Sequence, residues 1–250
     1  MKVSQEVMNV LDQCVVDGNQ VVLPSIQLDR KLYLDINKVL ETIGGKWNRK
    51  AKAHVFTEDP KELFDSVLLT GETVDAKKEY QFFPTPKDLA RRMIEEADLY
   101  RDDPKELMGV LEPSAGDGAI ADEVDGSRCL FRCCELNPKM AKVLEDKGYS
   151  VFAGDFLTLE DNTIQRIVMN PPFSKQQDID HIRHAYDILQ SGGILVSIVS
   201  ESPFFRENTK SVDFREWLDS VHAYIEELPE GTFKESGTMV RARLIKIFKG

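Results

Sequence analysis

Val110-Leu111-Glu112-Pro113-Ser114-Ala115-Gly116-Asp117-Gly118-Ala119 is the stretch that decides the fold. An apolar run from Leu107 to Leu111 ends in an acidic residue and a proline, then breaks into a turn with two glycines. A short apolar run bounded by such breakers is the pattern of a strand buried on both faces. Gly116 and Gly118 would let the backbone approach a ligand that any Cβ would hold off, and the turn is expected to lead into a helix. On its own, a glycine-rich turn of this kind is equally a plain tight connection.

Working outward, similar runs recur at Cys129 to Cys134, Ile167 to Met169 and Ile194 to Val199, with helix signals between them. Ahead of the first run, Thr85 offers an N-cap hydroxyl and Pro86 suits the first helical position. Leu89, Met93, Ile94 and Ala97 then share one face. Asn137-Pro138 opens a further helix that closes at Gly148. Strands alternating with helices predict an α/β domain around a mostly parallel, helix-covered sheet. From His222 to Phe248, two strand-like runs around Gly231 and Gly237 predict an antiparallel hairpin at the sheet edge.

In open sheets of this kind ligands bind at the carboxyl ends of the strands, and the chemistry-bearing residues cluster there. Glu135-Leu136 closes the second strand, about 20 residues beyond the glycine turn, the spacing expected of an acidic group that takes ribose hydroxyls. Asp155-Phe156 follows a further strand, the third in order, beyond the helix that closes at Gly148. The fourth runs Ile167-Val168-Met169-Asn170-Pro171-Pro172-Phe173. Two prolines remove two backbone donors and hold an extended turn, leaving carbonyls to accept hydrogen bonds from elsewhere. Asn170 adds a side-chain carbonyl and Phe173 a flat face for stacking. Together they suit an amino group on an aromatic heterocycle.

Residues 1–72 read as a small α+β module. Val21, Val22 and Leu23 stop at Pro24, and a helix from Asp35 to Ile43 stops at Gly44 and Gly45. A second helix opens near Pro60 with Leu63, Phe64, Val67 and Leu68 as its apolar face. Thr70 to Glu79 reads as a linker, so residues 73–250 form the larger domain. The net charge of −11 is awkward for a nucleic-acid enzyme, which must gather its cations on one face. Two segments could do so: Lys46, Trp47, Arg49, Lys50 and Lys52, which interleave cations with an aromatic, and Arg241, Arg243, Lys246 and Lys249. The first is equally readable as a solvated loop. No apolar run approaches the roughly 20 residues of a membrane span. Cys14, Cys129, Cys133 and Cys134 lack metal-ligand spacing, so reduced cysteines in a cytoplasmic protein without a bound metal are expected.

These motifs, in this order, resemble those of class I S-adenosylmethionine-dependent methyltransferases, and within them the DNA adenine-N6 enzymes of γ-type motif order. The resemblance covers residues 80–250 and rests on Phe83-Pro84-Thr85-Pro86, Glu112 to Gly118, Glu135, Asp155-Phe156 and Asn170-Pro171-Pro172-Phe173. The same arrangement is met in phage-encoded methyltransferases. It implies a Rossmann-like, mostly parallel seven-stranded sheet with S-adenosylmethionine as cofactor. Phe83 and Thr85 would hold the methionine part; Glu112, Pro113, Ala115, Gly116 and Gly118 would shape its turn. Glu135 with Leu136 would take the ribose, Asp155 with Phe156 the adenine ring, and Asn170 would border the methyl group. Asn170 and the Pro171 carbonyl would accept from the target amino group, with Pro172 holding the turn and Phe173 stacking on a base flipped from DNA.

One departure is the short chain after the core. Members of this order carry a long recognition region there, so specificity would be minimal, or would come from a second subunit, a homodimer or the N-terminal module. Amino groups of RNA adenine or guanine, and a protein glutamine amide, are alternative acceptors for the same motif, and a non-catalytic cofactor-binding subunit is a third reading. Covalent cytosine-C5 chemistry is excluded, because it needs a cysteine after a proline and none of the four sits so.

Overall fold

The computed structural model of the protein describes residues 2–56, 59–73, 84–100, 107–236 and 238–250. Phe83, Gly237 and residues 74–79 of the expected linker lie outside them. The short apolar runs near the N-terminus are too brief to pair over many residues, and they meet in a small antiparallel sheet. Helix α1 (Gln5–Leu11) leads into strands β1 (Val15–Asp17) and β2 (Gln20–Val22), then helix α2 (Arg30–Thr42), strands β3 (Lys46–Asn48) and β4 (Ala53–Val55), and helix α3 (Lys61–Thr70). The strand order is β1-β2-β4-β3. Asp29 caps α2 by accepting from the Lys31 and Leu32 amides, which starts this helix before the expected Asp35. Val7, Leu11, Val21, Ile36, Leu40, Phe56, Phe64, Val67 and Leu68 form the core beneath the sheet. Leu63, read as part of that apolar face, instead turns toward a cavity shared with the larger domain.

After helix α4 (Lys87–Glu96) come strand β5 (Met108–Pro113), strand β6 (Cys129–Glu135), helix α5 (Pro138–Asp146), strand β7 (Ser150–Ala153) and strand β8 (Ile164–Met169). Helix α6 (Gln177–Ile188), strand β9 (Leu189–Ser200), helices α7 (Ser202–Phe205) and α8 (Thr209–Ser220), and strands β10 (Tyr224–Glu227) and β11 (Ala242–Phe248) follow. The seven strands order as β10-β11-β9-β8-β5-β6-β7. Strands β5 to β9 pair in parallel, while β11 is antiparallel to both β9 and β10. Alternation along the strands divides the core into two layers. Val168, Val196 and Leu244 face α4, with Leu89 and Met93. Ile167, Leu195 and Ile245 face α6 and α8, with Ile182, Phe214 and Leu218.

Two expectations are corrected here. The glycine turn leads not into an α-helix but into a single 3-10 turn, Ala121–Glu123, because Asp125, Gly126 and Ser127 break the chain before a second turn can form. Thr85 does not cap α4: Pro86 holds the N-cap position without a side-chain bond, and the Thr85 hydroxyl is used elsewhere. Helices α7 and α8 carry no clear apolar stripe in the sequence and were not foreseen.

The module is fastened to the larger domain at several points. Asp12, just past α1, pairs with Arg206 at 3.1 Å, both side chains nearly buried, and its second oxygen accepts from the Glu207 amide. Phe205 packs on the module's core, and Leu69 of α3 enters the core of the large sheet. Removing one member of a buried pair leaves the other charge stranded. Asp12→Ala should therefore cost about 3 kcal/mol in urea unfolding, whereas Asp12→Leu combined with Arg206→Met should recover much of that loss.

Candidate active site

β5 and β8 are adjacent, yet the chain leaves them in opposite directions, to β6 and β7 on one side and β9 on the other. At such a reversal the connections diverge and open a crevice above the carboxyl ends of the strands. Pairing of Val110 with Arg166 and Leu111 with Ile167 sets the two strand ends side by side. Above them lies one cavity of about 1550 Å3. That exceeds the roughly 300–1,000 Å3 of a single small-molecule site, leaving room for two ligands.

The glycine turn forms the first wall. Ser114 and Gly116 adopt left-handed backbone, φ +57° and +58°, and Gly118 reaches +90°. A Cβ on Gly118 would come within 2.9 Å of Leu144, so this glycine serves the packing of α5 behind the turn. The Gly116 amide donates to Glu135 Oε2 and the Asn137 amide to Oε1, both at 2.8 Å. The Glu135 carboxylate is thus anchored by two backbone donors, and each oxygen keeps further acceptor capacity. Glu112 is buried; the Ala121 amide donates to its carboxylate, but its Oε2 has no hydrogen-bond partner among the described residues. Burial pushes its carboxyl well above the usual range, and Asp117, Asp122 and Glu135 add to the push. Asp117 Oδ1 is likewise buried and unpartnered among the described residues.

Asp155 lies exposed after β7, where its side chain accepts from the Leu157 amide. Leu136 and Leu157 are exposed apolar side chains on the cavity wall, 69% and 38% accessible. Phe156 lines the cavity too, but its ring is 2% exposed and rests against His181 and His184. His181 Nδ1 lies 3.3 Å from Ser114 Oγ, and burial lowers the imidazole pKa to about 4.

At the end of β8, Asn170 Nδ2 donates to Thr85 Oγ1 at 3.2 Å. The hydroxyl that looked like a helix cap therefore orients the motif amide instead. Pro171 and Phe173 are buried, and Phe173, 5% exposed, packs among Leu69, Val168 and Ile194. Most of the flat face read from the sequence is spent on the core, although the residue borders the cavity. The loop beyond it is strained: Lys175 and Gln176 are both left-handed, at φ 55° and 58°. Such backbone costs about 1–2 kcal/mol per residue and persists only when its surroundings enforce it. Here the buried Gln176 amide donates to Ser211 Oγ and accepts from Asn208 Nδ2. Asp178, also buried, accepts from both the amide and hydroxyl of Ser200, and burial raises its pKa to about 6.

The cavity wall thus gathers Thr85, Glu112, Ala115, Gly116, Glu135, Leu136, Asp155, Phe156 and the Asn170–Phe173 turn. Pro113 and Gly118 are not on it: Pro113 still pairs with Cys134 inside the sheet, and Gly118 faces α5. Ser114, Asp117 and Leu157 are on the wall without having been singled out, since isolated small, acidic or apolar residues carry no pattern. The two basic segments differ. Arg243 and Lys246 are paired with Glu201 and Glu96, Arg241 donates to Gln5, and Lys249 is bound to carbonyls of α6. Lys46, Arg49, Lys50 and Lys52 are exposed and make no ion pair among the described residues, with Trp47 44% accessible between them. They begin two residues beyond Ile43 and Gly44, which line the cavity.

A parallel sheet reversing at β5 and β8, with an antiparallel strand inserted before the last, is the Rossmann-like fold of class I methyltransferases, and the chain has that fold. The 23S rRNA methyltransferase ErmE resembles it with a TM-score of 0.51 at 18% identity, over 68% of this chain and 70% of that one. TrmN from Thermus thermophilus gives 0.48 at 18% identity over 66% of this chain, which spans only 49% of TrmN. The putative RNA methyltransferase PH1948 from Pyrococcus horikoshii gives 0.47 at 18% identity, over 76% and 97%. No protein-family model matches the chain, and no curated protein does. No helix among the described residues is long and apolar enough to cross a membrane.

The His181 environment has a measurable consequence. The folded imidazole stays neutral down to about pH 4, while the unfolded chain takes up its proton near pH 6.5. The stability it contributes is full above pH 6.5 and is lost as the pH falls toward 4. His181→Gln should flatten that part of the stability–pH curve measured by chemical denaturation.

Proposed function

We propose that this protein transfers a methyl group from S-adenosylmethionine to the N6 amino group of adenine in DNA. The observation that carries this reading is the Thr85–Asn170 hydrogen bond, which orients an amide at the end of β8 beside the glycine turn, on the wall of one cavity. The residues present fit the cofactor. The orphaned Glu112 and Asp117 oxygens suit its ammonium and sulfonium charge, the anchored Glu135 its ribose hydroxyls, and Leu136 and Leu157 its planar ring. Phe83 and Phe156 are carried only by the resemblance. When bound, the cofactor supplies an electrophilic methyl group.

The chain's own part is to hold the acceptor nitrogen. The Asn170 and Pro171 carbonyls would accept the two amino hydrogens, directing the nitrogen lone pair across the cavity. These bonds strengthen as positive charge builds on nitrogen, so they favour the transition state over the ground state. Phe173 offers an apolar border to the extruded base, with Pro172 keeping the turn rigid. The basic hairpin next to the cavity supplies what an acidic protein needs to approach a polyanion. RNA is the second reading, because the same hairpin would serve it and ErmE is by its name an rRNA methyltransferase. A second copy or a separate specificity subunit would add to sequence recognition.

Incubation with labelled cofactor and duplex DNA, single-stranded DNA, RNA or protein extract, followed by mass spectrometry, tests the reading. N6-methyladenine in DNA supports it, a product confined to RNA or protein replaces the acceptor, and no transfer at all rejects it. On the active substrate, Asn170→Ala should lower kcat by about two powers of ten, with cofactor affinity by calorimetry much less affected. Neutralising Lys46, Arg49, Lys50 and Lys52 should weaken DNA binding at every sequence and flatten its salt dependence by about 0.9 per lost phosphate contact; an unchanged slope would make the hairpin a solvated loop.

A further inference from the structure

Helix α3 belongs to the N-terminal module, yet it presents two faces. Phe64, Val67 and Leu68 point into the module's own core. Leu63, Ser66 and Leu69, three residues apart and so on one face, line the catalytic cavity. Leu69 packs in the same cluster as Phe173, and α3 rests on the turn Ser174–Gln176 that follows it. Ser66 is the polar member of this stripe. Its side chain is buried, and its Oγ has no hydrogen-bond partner among the described residues. Buried hydroxyls are as a rule paired, so one left open on a cavity wall points to a ligand that completes it.

The charge around it narrows the ligand. Asp59, Asp65, Glu112 and Asp117 all line the cavity, with Lys175 and Arg206 among them as cations near Asp65. A lining of mixed charge with the apolar Leu63 and Leu69 beside the hydroxyl suits a neutral heterocycle better than a phosphodiester. Phosphates would lie outside, on the exposed basic hairpin that begins just past Ile43 and Gly44.

Resting on the methyl-transfer reading above, we propose that the Leu63–Ser66–Leu69 face of α3 is the second wall of the acceptor pocket. Ser66 Oγ there donates to a ring nitrogen of the target base, while the Asn170 turn holds its amino group. The N-terminal module is then part of the specificity apparatus, reading the base itself, and its fastening through Asp12 and Arg206 keeps that wall in register with the turn.

The test uses the full chain and the oligonucleotide that mixed-sequence DNA or RNA shows to be methylated. Ser66→Ala should lower kcat/KM about five- to tenfold, the scale of one hydrogen bond, with cofactor affinity unchanged. Oligonucleotides carrying 1-deaza-, 3-deaza- or 7-deazaadenine at the target remove the ring nitrogens one at a time. The unaltered protein should lose a similar factor on one of them, and Ser66→Ala should lose nothing further on that analogue. Full activity of Ser66→Ala on adenine, or losses that simply multiply, would overturn the pocket while leaving the methyltransferase reading intact. Should Ser66→Ala fail to fold, the analogues decide alone: equal rates on all of them overturn the assignment. Absence of methyl transfer to any polynucleotide by the unaltered protein would instead reject the underlying reading, and the base as ligand with it.

Discussion

Everything at the site depends on the parallel pairing of β5 with β8. Two backbone registers, Val110 with Arg166 and Leu111 with Ile167, bring together strand ends that lie more than fifty residues apart in the chain. Because the sheet reverses direction there, the connections diverge and leave a cavity above the strand ends. The glycine turn and the Asn170 turn then face one cavity, although neither contains any local information about the other. The β5–β6 crossover, reduced to a 3-10 turn, keeps that space open and lets the Ala121 amide reach Glu112.

Around this crevice the protein spends stability on geometry. Ser114, Lys175 and Gln176 sit in left-handed backbone without being glycine, and all three border the cavity. Glu112 holds a carboxyl in a place that resists charge, and Asp178 does so beneath the Asn170 loop. Three of these residues are held by specific contacts: Ser114 by His181, Gln176 by Asn208 and Ser211, and Asp178 by Ser200. Strain and buried charge maintained by such dedicated partners are features of sites that must be rigid before a ligand arrives.

The overall acidity of the chain also acquires a local meaning. Carboxylates crowd the cavity, where a cationic or hydroxyl-bearing ligand would profit from them. The C-terminal cations are tied to acidic, amide or carbonyl partners inside the fold, whereas the hairpin around Trp47 carries four exposed cations with no ion pair among the described residues. Only a few residues, Ile43 to Lys46, separate the cavity wall from this exposed basic hairpin.

The sequence by itself determined the parallel sheet, its buried strands and the C-terminal hairpin, because burial on both faces and turn chemistry leave strong one-dimensional patterns. The strand-end residues Glu135, Asp155 and Asn170 were legible for the same reason: each follows directly from where an apolar run stops. Only the tertiary structure decided that Thr85 orients Asn170 and does not cap a helix, since a hydroxyl before a proline reads identically in both roles. It alone showed that Phe173 lies mostly in the core, that Pro113 and Gly118 do not line the cavity, and that one stripe of α3 does. Leu63 and Ser66 have the spacing of an ordinary core face, and which surface a helix turns toward a second domain depends on packing between segments that no local pattern encodes.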